Sequence, residues 1–297
     1  MKLIVPKAEL LLQPEGLEGV YKQIELCGRT CYKSTDKITD ESAKPFVERM
    51  IASKHTAMLE QGTVYLVIKW WQIFKFFRYL FNHYSKVHRF KYITTNYRVI
   101  SEHKWLSDLK YLCSPTKYHE KRYTIKFTTD RGVSHELVRH RVFSFAQEST
   151  RYCNYSKDKF GKELTFIIPS WAKDRSEISY THHFDVEERE KLQEDFGASY
   201  GGFIHQLSLI EDEYLYQLEQ GRTPQEARQV LPNALKTEVC MTGFASDWRF
   251  FFDLRYYGET GKPHPDMEVV ATMARSEFMK AGLWYDITSY PSKFEHE

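Results

Sequence analysis

A run of ionic and hydrogen-bonding side chains between Glu136 and Tyr152 is the part of the sequence best equipped for chemistry. It contains three arginines and one histidine within thirteen residues: Arg139, His140, Arg141 and Arg151. Guanidinium groups bind phosphate and carboxylate groups bidentately, and the hydroxyls of Ser149 and Thr150 stand beside Arg151. These residue types indicate a phosphate-binding segment. A salt-bridged surface helix running into a turn is the alternative that the composition leaves open, since Glu136 can pair with Arg139 or His140 on a helix.

Periodic stretches on both sides of this run predict the elements that position it. Residues 41–53 predict a surface helix with Asp40 as its cap and Pro45 in its first turn. The β-branched and aromatic runs at 63–68 and 123–129 predict strands. Residues 203–220 predict a long helix, with Gly201-Gly202 before it and Gly221 after it.

The C-terminal third predicts further elements. Thr223-Pro224-Gln225-Glu226 has the pattern of a capped helix start. Residues 236–245 suit a strand or a buried helix, 247–254 suit a helix, and 267–280 suit a last helix that ends at Gly282. With no internal repeat and no Ser/Gly-rich linker, the chain is expected to form one domain with an insertion.

Composition excludes several classes of protein. The 297 residues are 42% hydrophobic and 28% charged, which is the balance of a globular chain. Forty-two basic and forty acidic residues leave a charge of +2, so no overall field attracts a polyanion. The five cysteines show no CxxC spacing, no long apolar run is present, and residues 1–7 resemble a short strand rather than a signal peptide. We therefore expect a cytoplasmic protein without a membrane or metal partner; the adjacent His182 and His183 lack a nearby third ligand.

One segment supports a rival function. From Lys69 to Tyr92 there is no acidic residue, and five aromatic residues recur at helical spacing: Trp70, Phe74, Phe77, Phe81 and Tyr84. A basic helix with an aromatic face could hold a single-stranded nucleic acid. The same stripe could instead pack against its own domain, and this second interpretation is favoured.

The order of residues in the first run resembles the signature of the flavin-dependent thymidylate synthases. Arg139-His140-Arg141 is followed by seven residues, Ser149 and then Arg151-Tyr152, as in that family. Four flanking segments are similar to family segments in the correct order: His55–Glu60, Glu226–Pro232, Trp248–Arg255 and His264–Glu268. The resemblance covers about residues 20–68 and 121–282. It leaves a segment at about 69–120 without a counterpart in the short family members.

The resemblance implies a reaction and an architecture. The reaction is the reductive methylation of dUMP to dTMP, with methylenetetrahydrofolate as the one-carbon donor and FAD that is reduced by NADPH. The fold implied is α+β, a mixed sheet flanked by long helices of the thymidylate synthase-complementing-protein type. Residues 1–297 would form a single domain with the insertion at about 69–120. The sites would lie between the subunits of a homotetramer, and no nucleic acid is expected to bind.

The resemblance also assigns residues. Arg255 would be catalytic, stabilising negative charge on the uracil ring. Arg228 would join it at the uracil, while Ser149, Thr150 and Arg151 would hold the phosphate. The dUMP-binding set is Glu136, Arg139, Gln147, Glu148, Ser149, Thr150, Arg151, Arg228 and Arg255. The FAD-binding set is His55, Ala57, Glu60, Arg139, His140, Arg141, Gln147 and Ser246. No cysteine nucleophile is implied, and Ser149 lacks the His-Asp relay of a serine nucleophile.

Several positions depart from residues frequent in the family, and they leave the flavin contacts open. Ala146-Gln147 replaces an asparagine-glutamate pair, Ala57 replaces a hydroxyl residue and Gln61 replaces a histidine. Phe244, Ser246 and Phe250 stand where asparagine, arginine or histidine often contact the FAD. An aromatic ring at Phe250 can stack instead of donating a hydrogen bond.

Overall fold

The structure, a computed structural model, describes residues 1–183 and 187–294, and the side chains of residues 70, 73–76 and 159 lie outside the described part. In this part the strands are β1 Lys2–Ile4, β2 Lys7–Leu11, β3 Thr63–Val67, β4 Lys86–His88, β5 Tyr92–Asn96, β6 Arg122–Asp130, β7 Ser144–Gln147, β8 Thr165–Ile167, β9 Ile178–Ser179 and β10 Lys236–Phe244. The helices are α1 Gly16–Tyr32, α2 Ala43–Ala52, α3 Ile73–Leu80, α4 Tyr97–Glu102, α5 Arg131–Leu137, α6 Glu188–Phe196, α7 Ala198–Glu219, α8 Pro224–Ala227, α9 Ala245–Phe252, α10 Pro265–Lys280 and α11 Trp284–Thr288. The predicted α+β class is confirmed.

A four-stranded antiparallel sheet in the order β2-β6-β10-β7 carries the motif segment. Strands β6 and β10 pair over nine residues, from Lys236 opposite Asp130 to Phe244 opposite Arg122. One face of the sheet packs through Ile125, Phe127 and Met241 against fully buried aromatic side chains of α9 and α10, namely Trp248, Phe251, Phe252 and Phe278. Each such side chain stabilises the fold by roughly 1.5–3 kcal/mol through burial. The sheet is therefore a rigid platform for the residues at its ends.

The predicted insertion forms most of a separate small sheet. Strand β3 confirms the strand predicted at 63–68, but it pairs with β5 rather than with the four-stranded sheet, and the order is β3-β5-β4. A third sheet, in the order β8-β1-β9, combines a parallel and an antiparallel pair. The insertion thus follows β3, supplies the other two strands of the small sheet, and leads back to the main sheet at Arg122.

The aromatic stripe predicted between Trp70 and Tyr84 does not form one buried helix face. Helix α3 ends at Leu80, so the helical spacing does not extend to Phe81 and Tyr84, whose exposed fractions are 82% and 50%. Among the described side chains of α3, the ring of Tyr79 is buried, and its hydroxyl donates to Asp108 at 2.8 Å. The predictions for the side chains of Trp70 and Phe74 lie outside the described residues.

Of three helix starts predicted from the sequence, two lie at other residues in the structure and one is confirmed. Helix α7 starts at Ala198, after Gly197 with a φ of 83°, so Gly201 and Gly202 lie inside the helix rather than before it. Helix α2 starts after Ser42, not Asp40. The capped start at Thr223 is confirmed, because Glu226 accepts from the Thr223 backbone N–H at 2.8 Å.

We predict that Gly201→Ala lowers the free energy of unfolding by about 1–3 kcal/mol, as overpacking does. A Cβ at Gly201 would lie 2.1 Å from the carbonyl oxygen of Leu192, so α6 would have to move. Chemical denaturation measures the effect. Gly202→Ala is the matched control: the nearest atom to its Cβ is the Gln193 Nε2 at 3.6 Å, and the helix interior favours alanine. Equal effects of the two substitutions would contradict this packing.

Candidate active site

The motif segment leaves the sheet through a capped helical turn. Asp130 ends β6, and its carboxylate accepts a hydrogen bond of 2.8 Å from the Val133 backbone N–H, which starts α5. Helix α5 is only seven residues long, so Glu136 lies in its last turn and the chain turns through His140 into β7. Helix α5 and the turn after it therefore carry Glu136 and His140 along the sheet to the start of β7, and Gln147 lies at the other end of that strand.

Arg255 lies against this corner and is held by two side chains. Its Nη1 donates to Glu136 Oε2 at 3.0 Å, and its Nε donates to His140 Nε2 at 3.1 Å. Arg255 belongs to a turn of π-helix, Asp253–Tyr257, that extends α9 and ends at Gly258 with a φ of 72°. In the described part of the chain its Nη2 donates to no protein acceptor. The guanidinium is thus oriented on one side and able to donate on the other.

His140 is a neutral, buried ring in this arrangement. Because Nε2 accepts from Arg255, the ring proton is on Nδ1. Burial, and then the charge of Arg255, lowers the pKa of His140 to about 4. Its lone pair is occupied by the arginine, so the ring orients Arg255 and is not available as a base.

Gln147 is the last residue of β7 and Glu148 follows it. Their side chains make different kinds of contact. The Gln147 amide donates to Ser134 Oγ at 2.9 Å and to Thr237 Oγ1 at 3.3 Å. Glu148 is buried and accepts from Lys236 at 2.8 Å and from Tyr155. Lys33 and Glu238 complete an ionic cluster beside a cavity of about 530 Å³, and its two lysines lower the pKa of Glu238 to about 2. The structure thus engages Glu148 in an internal ion network.

The predicted phosphate residues meet the Arg228 segment. Arg228 Nη1 donates to Thr150 Oγ1 at 3.3 Å, and Arg151 Nε donates to Gln225 Oε1 at 2.9 Å. Ser149 is fixed by its backbone N–H, which donates to the Cys31 carbonyl at 3.1 Å. Arg228 was expected to join Arg255 at the uracil, and in this chain it bonds to Thr150, one of the residues predicted to hold the phosphate. Two arginines and two hydroxyl groups gather here.

The upstream residues assigned to FAD lie near the motif as well. His55 and Ala57 line a surface hollow of about 400 Å³ together with Tyr32 and Tyr152. The Tyr32 hydroxyl is 3.2 Å from His55 Nδ1, and the two tyrosine rings are 5.7 Å apart. This hollow joins the His55 segment to the residue that follows Arg151.

The remaining predicted residues have separate surroundings. Glu60 accepts from Arg98 of the insertion at 2.5 Å. Ser246 donates to Glu120 at 2.5 Å. Arg139 and Arg141 are exposed, and Arg141 faces a cavity between β7 and the insertion.

Three basic residues that no sequence motif includes lie around the site: Arg122, Lys236 and Lys86. Arg122 and Lys236 each begin a strand of the main sheet and are buried or nearly so. A basic residue opening an otherwise apolar or hydroxyl-rich strand was the available signal. Lys86 had no signal, because only the pairing of β4 with β5 brings it to the site.

Other polar groups are engaged in structure. The ring of His182 contacts Glu188, and its Nε2 is 3.2 Å from Asp212. Burial raises the pKa of the Cys31 thiol to about 11, which suits no nucleophile at neutral pH. Over residues 1–183 and 187–294, no three His, Cys, Asp or Glu side chains are arranged for a metal ion. Over the same ranges, no helix has both the length and the apolar character to cross a membrane.

A family model, curated relatives and a solved structure are each similar to this chain. Residues 114–281, more than half of the chain, match the family model described as thymidylate synthase complementing protein. Flavin-dependent thymidylate synthases of Mycobacterium bovis and Mycobacterium marinum are each 30% identical over 143 residues, which is 47% of this chain and 49% of theirs. The chain spans about half the length of the curated relatives it matches. A Streptomyces cacaoi UMP/dUMP methylase, PolB, bound with 5-Br dUMP, aligns over 98% of both chains with a TM-score of 0.47 and 14% identity.

The arginine-histidine-arginine corner lies inside the matched region, as do three of the four strands of the main sheet, β6, β7 and β10. The chain belongs to the thymidylate synthase complementing protein family. Most of the insertion at 69–120 precedes the matched residues.

We predict that His140 makes stability depend on pH. The pKa of His140 falls from 6.5 in the unfolded chain to about 4 in the folded one, so acid favours unfolding as pH drops between these values. By pH 5 the loss is about 2 kcal/mol relative to neutral pH. His140→Gln keeps a neutral acceptor and is expected to remove this part of the loss in denaturation curves at pH 7 and 5. The exposed His135→Gln is the control, and an unchanged loss in His140→Gln would refute the assignment.

Proposed function

We propose that the protein is a flavin-dependent thymidylate synthase that converts dUMP to dTMP with methylenetetrahydrofolate as the one-carbon donor. The observation that carries this proposal is the guanidinium of Arg255, oriented by Glu136 and His140 and open toward a ligand on its other side. A fixed cation suits a ring on which negative charge develops, because its donors need no reorganisation during the reaction. Arg255 is the catalytic residue, and Glu136 and His140 position it.

The phosphate of dUMP suits the cluster of Thr150, Arg151 and Arg228. Arginine side chains and hydroxyl groups supply charge-assisted and neutral donors to phosphate oxygens. The ion network around Glu148 underlies this segment and holds the end of β7 in place. Gln147, anchored to Ser134 and Thr237, is the polar group between this cluster and the Arg255 corner.

The residues present fit a flavin dinucleotide. The hollow lined by His55, Ala57 and Tyr152 offers aromatic and apolar surface for a ring system. Arg139 and Arg141 provide cations for the diphosphate, and the buried Arg122 has an Nε with no partner in the described structure. Bound FAD, recharged by NADPH, supplies the hydride that completes the methyl group. Glu60 and Ser246 complete the residues proposed to hold it.

The assembly is also part of the proposal. A single domain of 297 residues with its insertion, assembled as a homotetramer, would complete each site with residues of a neighbouring subunit. Arg139, Arg141 and Arg151 are exposed in the single chain, which supports a site that closes on assembly. The five free cysteines support a reducing compartment such as the cytoplasm.

A nucleic-acid-binding function has weaker support. Arg78, one of the basic residues of α3, pairs with Asp108 and lies 4.5 Å from the Trp105 ring, so it is engaged within the chain. Binding of an oligonucleotide with a steep salt dependence would favour that function.

We predict that Arg255→Ala lowers kcat for dTMP formation about 10²–10³-fold, since removing a donor of this kind costs that much in other enzymes. Anaerobic assays of dTMP with saturating dUMP, methylenetetrahydrofolate, FAD and NADPH measure it. Arg189→Ala, an exposed arginine on α6, is the control and is expected to keep full turnover. Unchanged turnover of Arg255→Ala would refute its catalytic role.

We also predict that Arg151→Ala weakens dUMP binding about tenfold and leaves deoxyuridine binding unchanged, because the guanidinium contacts only the phosphate. Calorimetric titration with both ligands separates the two effects. Equal weakening of dUMP and deoxyuridine would show that Arg151 acts on the nucleoside or on the fold instead.

A further inference from the structure

A cavity of about 170 Å³ lies between the insertion and the family region, which is the part of the chain at about 20–68 and 121–282 that resembles the family. The insertion provides one wall through the loop before β4, the start of β4 and the end of β5. Its lining residues there are His83, Tyr84, Lys86 and Asn96, and the family region contributes Arg122, Arg141, Val142, Ser144, Phe244 and Asp247. The insertion therefore builds part of the pocket that Arg141 faces.

The charges around this cavity are not balanced. Three cations line it, Lys86, Arg122 and Arg141, against the single carboxylate of Asp247. That carboxylate accepts from the Phe244 backbone N–H at 3.1 Å, and burial raises the pKa of Asp247. In the described part of the chain, no carboxylate lies within salt-bridge distance of the three cations. The cavity has an excess of positive charge.

Arg122 is the most unusual of the three cations. It is 8% exposed, and its Nη atoms donate only to neutral oxygens, those of the Glu60 carbonyl, Thr63 and Ser144. Its Nε has no partner in the described structure. Burial of the guanidinium lowers the pKa of Arg122, because the charged form loses its hydration. The carboxylates of Glu60 and Asp247 attract Arg122 only from beyond ion-pair distance. A buried cation without a directly paired carboxylate is costly, and an anion in the adjoining cavity would offset that cost.

Lys86 reaches this cation from the insertion. Its ammonium lies 5.6 Å from the centroid of the Phe244 ring, and the Arg122 guanidinium lies 5.4 Å from the same centroid. The same aromatic ring therefore lies within cation–π distance of both cations, and both cations line the cavity that an anion would enter. Pairing of Lys86 with Thr94 in the small sheet keeps it at this position.

We propose that this cavity binds a phosphate group of a nucleotide ligand and that Lys86 of the insertion is one of its ligands. The cavity is smaller than the 300–1,000 Å³ typical of whole-ligand pockets, so it suits one charged group of a larger molecule. Because the substrate phosphate is assigned to the cluster around Arg151, the flavin dinucleotide is the expected source, and titration with dUMP tests the substrate as the other source. The inference rests on the proposed function for the identity of that molecule, but not for the anion site itself.

Calorimetric titrations of the full-length protein with FAD, riboflavin, dUMP and deoxyuridine test the proposal. Lys86→Gln is expected to raise the Kd for FAD about tenfold, with riboflavin unchanged, because only FAD carries the diphosphate. Lys86→Arg is expected to keep the affinity. The matched controls are Lys91→Gln, on the same hairpin but outside the cavity, and Lys117→Gln, which lines only the neighbouring pocket.

The outcomes separate the two sources of phosphate. Loss of dUMP affinity with deoxyuridine unchanged also supports the site and assigns it to the substrate. Affinities for FAD and dUMP that stay within about twofold of the native values overturn it. An equal loss for FAD and riboflavin overturns it too, because Lys86 would then act on the fold.

Failure of the proposed function gives a different result. If the native protein binds neither FAD nor dUMP, pyrophosphate is titrated in their place. Pyrophosphate binding that is lost in Lys86→Gln and kept in Lys91→Gln supports the anion site in a protein with another activity. Absence of pyrophosphate binding overturns the site.

Discussion

The ion pair between Arg255 and Glu136 is the contact on which the candidate active site depends. It joins a π-helical turn near the end of the chain to the short helix that follows β6, across 119 positions in sequence. The turn itself is fixed by the buried carboxylate of Asp253, which accepts from Arg249 at 2.9 Å and from Ser292 at 2.8 Å. With His140 neutral and bonded to the same guanidinium, the cation has one orientation. A fixed cation at the edge of a rigid sheet can act on a bound ring without first being reorganised.

The insertion contributes to this site rather than standing apart from it. Several contacts join it to the family region: Arg98 pairs with Glu60, Glu120 accepts from Ser246, and Lys86 shares the Phe244 ring with Arg122. The first two contacts involve residues assigned to the flavin, and the third adjoins the cavity that Arg141 faces. Positive charge is therefore concentrated where a phosphate-bearing cofactor or substrate would approach, although the net charge of the chain is only +2.

Features set by local sequence were predictable, and those set by distant pairing were not. The strand at 123–129, the capped start at Thr223 and the helix at 267–280 follow from periodicity and capping chemistry, and all three occur in the structure, although the short α11 follows that helix. The position of Gly201 inside α7 depends on the backbone of α6, which no local pattern reveals. Similarly, the motif located Glu136 and Arg255, but their contact and that of Arg228 with Thr150 depend on how separate segments pack.

The central claim is tested most directly by anaerobic incubation of the purified protein with FAD, NADPH, dUMP and methylenetetrahydrofolate, followed by measurement of dTMP. Each component is withheld in turn. We predict dTMP only in the complete mixture, with NADPH oxidised in proportion. Absence of dTMP from the complete mixture, with flavin neither bound nor reduced, would contradict it.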